Sequence, residues 1–221
     1  MQFFYHSEAK AKTLDIDGEL YRHIAKSRRA KMGDIVMFHN LHDDLLYSYI
    51  VEEITKRAVS LSLKDSTKTA PKPSSKLHIG WCITDPKNIG DTLAKLNELN
   101  LHKLTFIYCD FSQKNFAINI DKLDKIAINS SCQCGRIDKI ELDICESLAK
   151  FHEIYPDSFV LNFCDNHISK QIKDIKHIVV GCEGGLSDTE LANFHTDKIV
   201  GLGQPYILKS STAVVATMAQ F

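Results

Sequence analysis

The stretch Val180-Gly181-Cys182-Glu183-Gly184-Gly185-Leu186-Ser187-Asp188-Thr189-Glu190 decides the fold. An apolar run stops at a glycine-bearing turn, and Ser187-Asp188-Thr189-Glu190 then has the form of a capping box that opens a helix. A second unit of the same kind reads Leu202-Gly203-Gln204-Pro205-Tyr206-Ile207-Leu208-Lys209-Ser210-Ser211-Thr212-Ala213. In an α/β protein, ligands bind at the carboxyl ends of adjacent strands, so two such turns define one cleft. Neither turn has the glycine spacing of a dinucleotide fingerprint or a P-loop, which points to a small ligand that is not held by phosphates.

Working outward, short apolar runs recur at Leu77–Ile83, Leu104–Cys109, Phe159–Cys164, Ile178–Gly181 and Ile199–Leu202. Such runs suit strands covered on both faces of a parallel sheet. Between the first two, Ile89, Leu93, Leu96 and Leu99 repeat at helical spacing. A second helix is expected from about Asp121 to Cys134, a third from Ser187, and a last one from near Ser211 to Phe221. The C-terminal part is therefore an α/β domain with a mostly parallel sheet.

Before it, Lys64 to Lys76 is polar, holds two prolines and has no hydrophobic period, so it reads as a linker. The domain boundaries that follow are 1–69 for a small β-barrel, 70–76 for the linker and 77–221 for the α/β domain. In the first domain Ile35–Phe38 and Leu45–Val51 flank a hairpin, Asn40 to Asp44, and Ala58–Leu63 alternates as a half-buried strand. A short helix ahead of the hairpin carries Arg22, Lys26, Arg28, Arg29 and Lys31. That cluster fits either a solvated helix face or a phosphate-binding patch.

The chain has 221 residues, 44% hydrophobic and 25% charged, and a net charge of −1, so any nucleic-acid surface must be local. No apolar run approaches the ~20 residues of a membrane span and no signal-peptide pattern is present, so the expected location is the cytoplasm, with no membrane partner. Seven scattered cysteines read as reduced core residues, and the lone close pair Cys132-Gln133-Cys134 does not complete a metal site; no metal is expected. On the Asp121–Cys134 helix, Asn129, Gln133 and Arg136 share a face if the helix persists, while Gly135 can end it first.

Taken in order, His23-Ile24, Arg28, Gly33-Asp34, Lys87, Glu98-Leu99, Gln133-Cys134-Gly135-Arg136, Gly181-Cys182-Glu183-Gly184-Gly185 with Ser187 and Glu190, Leu202-Gly203, Ile207-Leu208 and Thr212-Ala213 form a set. The set resembles the bacterial 16S rRNA uridine-N3 methyltransferases of the SPOUT, or trefoil-knot, superfamily. The resemblance implies a PUA-like β-barrel followed by a SPOUT domain with a C-terminal knot, and a homodimer acting on 16S rRNA within the assembled small ribosomal subunit. It implies S-adenosylmethionine held by Leu161, Val180, Gly181, Glu183, Gly184, Gly185, Leu202, Gly203, Ile207, Leu208 and Ala213. It further implies Arg136 and Lys209 as catalytic cations, with RNA gripped by Arg22, Arg28, Arg29, Lys87, Gln133 and Arg136. Where the family usually carries proline, arginine and glutamate, this chain has Cys182, Lys209 and Ser211, and the Gln204–Tyr206 loop is one residue longer. The alternatives are a SPOUT enzyme with another RNA target, such as a ribose hydroxyl or another base, and a non-catalytic RNA-binding factor on the same fold.

Overall fold

The computed structural model describes residues 2–69, 76–113 and 115–221. They divide into two compact units: Met1–Lys72 with Ile128–Asp138, and Pro73–Ala127 with Lys139–Phe221.

The first unit is a five-stranded sheet of β1 (Phe4–Tyr5), β2 (Thr13–Ile16), β3 (Ile35–His39), β4 (Leu45–Ile54) and β5 (Val59–Lys68), in the order β1-β3-β4-β5-β2. Pairing is antiparallel except between β1 and β3. Tyr47, Tyr49 and Val51 alternate inward along β4 and pack with Phe4, Phe38, Leu61 and Ile24. Alternation of this kind turns one sheet face into a core. Helix α1 (Gly18–Tyr21) continues as a π-helical stretch, Arg22–Ser27, which seats Ile24 in that core and leaves Arg22 exposed. The turn beyond it places Arg28 over the Phe4 ring, 4.7 Å from the centroid, and holds Arg29 at φ +53°.

Lys64 to Lys68 belongs to β5, not to a linker: Lys68 pairs with Leu45 and Thr67 with Leu46. Its polar side chains carry no hydrophobic signal, and the backbone ladder with β4 holds the segment extended. Of the expected linker 70–76, only Lys76 lies within the described residues.

The second unit is a six-stranded, wholly parallel sheet. Its strands are β6 (His78–Cys82), β7 (Lys103–Ile107), β8 (Glu141–Cys145), β9 (Phe159–Leu161), β10 (His177–Val180) and β11 (Ile199–Val200). The order is β11-β9-β10-β6-β7-β8. Alternation along β6 splits its side chains between two cores. Ile79 and Trp81 join Ile89, Leu93 and Leu96 of α2 (Pro86–Glu98), Leu123 and Ala127 of α3 (Ile120–Cys134), and Val214 and Met218 of α6 (Ser210–Met218). Cys82 joins Leu148 and Phe151 of α4 (Leu148–Ile154) on the other face. Gly80 makes room for that helix, since a Cβ there would lie 2.9 Å from Phe151 and 2.6 Å from Ile107. The short α5 (Asp188–Leu191) starts at the expected capping box.

Cys82 and Cys109 are not the reduced core residues that the sequence suggested. Their sulfurs are bonded as a disulfide. They stand at the ends of neighbouring parallel strands with a Cα separation of 5.8 Å, inside bridging range. The other five cysteines are free thiols. Helix α3 stops at Cys134 because Gly135 takes φ +84°, so Arg136 stands beyond it on the following turn. Its backbone N–H, like that of Gly135, donates to the Ser131 carbonyl.

Candidate active site

The carboxyl ends of β9, β10 and β11 open onto a cavity of about 610 Å³. That volume lies in the range of small-molecule sites. Its wall combines apolar side chains (Leu161, Val180, Leu202, Leu208) with bare backbone at Gly181, Gly185 and Gly203, and with Ala213 of α6.

Three local structures hold the wall. The first is the turn after β10. Gly185 takes φ +75° and donates its N–H to the Cys182 carbonyl over 3.0 Å, while a Cβ on Gly181 would sit 3.1 Å from Gly185. The turn leads straight into the capping box of α5, where the Ser187 N–H donates to Glu190 Oε2 and the Glu190 N–H donates to Ser187 Oγ. Glu190 Oε1 also accepts the Asp110 N–H at 3.0 Å, and Ser187 Oγ donates to Asp110 Oδ2 at 2.5 Å, which ties this turn to the loop after β7.

The second is the cradle around β11. The Asn162 N–H donates to Val200 O, the Gly201 N–H to Asn166 O and the Ile168 N–H to Gly201 O. Only glycine fits at 201, because a Cβ would lie 2.5 Å from the Cys164 carbonyl oxygen. His167 Nδ1 accepts from the Ser169 N–H, which leaves Nε2 to donate to the Leu202 carbonyl at 3.0 Å. Gly203 follows at φ +65°, with a Cβ position 2.7 Å from that imidazole. The third is the start of α6, where the Trp81 indole N–H donates to Ser210 Oγ and Ser210 Oγ–H donates to the Gly181 carbonyl.

Eight of the eleven positions expected to hold a cofactor lie on this wall; Glu183, Gly184 and Ile207 do not. Glu183 and Gly184 sit at the exposed tip of their turn, and Ile207 is 84% exposed. Lys209 is exposed at the N-cap of α6 and makes no side-chain cap. Gln133 and Arg136 belong to the first unit, with Arg22, Arg28 and Arg29. The Arg136 side chain is only 8% exposed and its Nε donates to Asp138 Oδ1 at 2.5 Å. Gln133 and Lys87 are exposed, the latter in the first turn of α2 in the second unit.

The sequence reading missed Asp165, the one carboxylate on the wall, although a polar residue just past a strand end was a usable signal. It also missed Ser210, which stands on the wall at the start of α6. Chemically the cavity combines apolar side chains with backbone groups and the polar side chains of Asn162, Asp165, Gln204 and Ser210. Burial pushes the Cys182 thiol up, which keeps it protonated and unsuited to nucleophilic attack. Among the described residues no group of three His, Cys, Asp or Glu could hold a metal ion.

A small-ligand cavity at the carboxyl edge of a parallel sheet is where α/β proteins bind their ligands, and here it occurs in a chain that also carries a separate five-stranded sheet. Residues 70–221 match the RNA methyltransferase domain family and residues 16–64 the RNA methyltransferase PUA domain family. The chain belongs to this family of RNA methyltransferases. It is 36% identical to the ribosomal RNA small subunit methyltransferase E of Helicobacter pylori, over 100% of both chains. It is 27% identical to the same-named protein of Buchnera aphidicola, covering 92% of this chain and 85% of that one. In fold it is similar to the ribosomal RNA small subunit methyltransferase E of Neisseria gonorrhoeae bound to S-adenosyl methionine, with a TM-score of 0.77, 18% identity, and 99% and 95% of the two chains covered.

Proposed function

We propose that the protein transfers a methyl group from S-adenosylmethionine to N3 of one uridine in 16S rRNA. It does so as a homodimer on the assembled small subunit near the decoding region, with its C-terminal segment threaded as the trefoil knot of the family. The observation that carries this reading is the cavity of about 610 Å³ at the three strand ends. Its size suits a nucleoside-sized cofactor, its glycines let backbone groups approach the ligand, and Asp165 is a carboxylate suited to a cationic ligand. The full-length kinship with the small-subunit enzyme of Helicobacter pylori supports the choice of RNA.

When bound, S-adenosylmethionine supplies an electrophilic methyl group on a sulfonium whose charge is lost on transfer. The apolar wall of Leu161, Val180, Leu202 and Leu208 keeps water from that charge, so alignment and desolvation carry the reaction without a metal. The N3–H of uracil is a weak acid, and its proton passes to solvent as the new bond forms. Arg136 and Lys209 are the cations assigned to the charge developing on the uracil oxygens. For Arg136 this role requires its guanidinium to exchange Asp138 for the base. Arg22, Arg28, Arg29 and Lys87 grip phosphates, and Gln133 reads a base edge. Phe163, Tyr206 and Ile207 are 74%, 80% and 84% exposed, an apolar surface of the second unit suited to a second copy of the chain.

The test is incubation with labelled S-adenosylmethionine and small subunits lacking the modification, followed by digestion and mass spectrometry of nucleosides. A single new N3-methyluridine is expected. A different methylated nucleoside would assign another target. No label with cofactor binding intact would make the chain an RNA-binding factor, with Ser211 in place of the family's glutamate as its mark.

A further inference from the structure

We propose that Trp81 and Ser210 are positioning residues that set the cavity for its ligand through one directed hydrogen-bond relay. The inference deepens the reading above and rests on it. Ser210 opens α6 and lies on the cavity wall. It is 4% exposed, and Trp81, in β6, is 1% exposed. The Trp81 Nε1–H donates to Ser210 Oγ at 2.8 Å, and Ser210 Oγ–H donates to the Gly181 carbonyl at 2.5 Å. An indole nitrogen can only donate, and a hydroxyl has one proton to give. The direction is therefore forced, from Trp81 through Ser210 to Gly181.

Two consequences follow. The Ser210 proton is committed to a backbone carbonyl, so the hydroxyl is no acid for the substrate. And the relay ties α6 to the paired strands β6 and β10 across long stretches of chain: Ser210 is 129 residues from Trp81 and 29 from Gly181. Gly181 is the point that most needs such a tie. It has no side chain to pack, since a Cβ there would meet Gly185 at 3.1 Å, and glycine leaves the peptide torsions free. The bond from Ser210 removes that freedom before a ligand arrives and so pre-organises the turn that faces it. Trp81, locked from behind, keeps the hydroxyl from rotating away.

Trp81 is the only tryptophan in the chain, so its emission reports directly on the relay. The experiment measures S-adenosylmethionine binding to the full-length protein by calorimetry and by tryptophan emission, with kcat and KM on small subunits. Wild type is expected to bind with a change in emission. Ser210→Ala should weaken binding about tenfold and raise the KM for S-adenosylmethionine to match, with kcat at saturation within about threefold of wild type. Its emission response should shrink. Ser210→Thr keeps the hydroxyl and should restore both affinity and response. Trp81→Phe keeps a ring but loses the N–H; it should weaken binding several-fold by calorimetry, and it carries the test if Ser210→Ala does not fold. Wild-type affinity in Ser210→Ala, or in Trp81→Phe where the alanine variant is unfolded, would overturn the relay. So would a loss confined to kcat, or a failure of threonine to rescue. Absence of binding by the unaltered protein would instead sink the functional reading and the relay with it.

Discussion

Acidification should weaken this protein through a histidine far from the chemistry. His78 starts β6, with its ring packed against Phe151, Tyr155 and His177. Its Nδ1 faces His177 Nδ1 at 3.1 Å and its Nε2 lies 2.8 Å from Thr105 Oγ1. One histidine donates to the other, and a further proton on either sets two N–H groups against each other. Burial, then His177 and Lys103, pushes His78 down to about 3, with Asp143 opposing. Burial lowers His177 too, with Lys176 and Lys103 adding and Asp157 opposing. The sign follows. The unfolded chain takes a proton below about pH 6.5 that folded His78 refuses until about pH 3, so stability is complete above pH 6.5 and is lost as pH falls between those values. One proton changes stability by about 1.4 kcal/mol per pH unit, so at pH 5 the loss is about 2 kcal/mol, and His177 adds in the same direction. Urea unfolding of wild type and His78→Asn at pH 7.5 and pH 5 tests this, since the asparagine does not titrate. The pH-dependent loss should be about 2 kcal/mol larger in wild type. Equal losses in the two proteins would refute the reasoning.

Three further outcomes are expected. Gly203→Ala should cost about 1–2 kcal/mol from its left-handed backbone, more from the clash with His167, and should weaken S-adenosylmethionine at least tenfold in calorimetry. Arg136→Ala should leave cofactor affinity unchanged and cut methylation by about a hundredfold or more; a wild-type rate would leave the residue only as the partner of Asp138. Arg29→Gly relieves φ +53°, so thermal denaturation should show a gain of up to about 1 kcal/mol, while rRNA affinity falls and the slope of log affinity against log salt drops by about 1. A variant that binds rRNA as tightly as wild type would remove Arg29 from the RNA surface.

Much of the sheet could be read from the sequence because central parallel strands are apolar on both faces, as with Ile79 to Cys82 and Ile178 to Val180. The same logic hid β8. It is an edge strand, and Glu141-Leu142-Asp143-Ile144-Cys145 alternates with most of its side chains turned outward. The glycine turns were legible because backbone torsion restricts residue type, and eight of the expected cofactor positions lie on one wall. What stayed hidden was pairing across long separations. No local pattern marks that Cys82 meets Cys109 or that Trp81 meets Ser210. Asp165 and Ile207 show the limit from the other side: neighbours in a loop differ in whether they line the cavity, and only the backbone path decides which.

Helix α3 is divided between the two compact units, with Ile128–Asp138 grouped in the first. Its carbonyls near the C-terminal end lack helical partners, and the one at Cys132 accepts the Gln2 N–H at 2.9 Å. The first unit is thus discontinuous in the gene although its strands are contiguous. A fragment cut at residue 72 would lose the partner of Gln2 just before β1, an edge strand of the first sheet. Unpaired edges of that kind recruit strands from other chains. Such a fragment should self-associate, and the RNA affinity measured on it would belong to the aggregate. The contribution of this module to substrate choice is therefore to be measured by point substitutions in the intact chain.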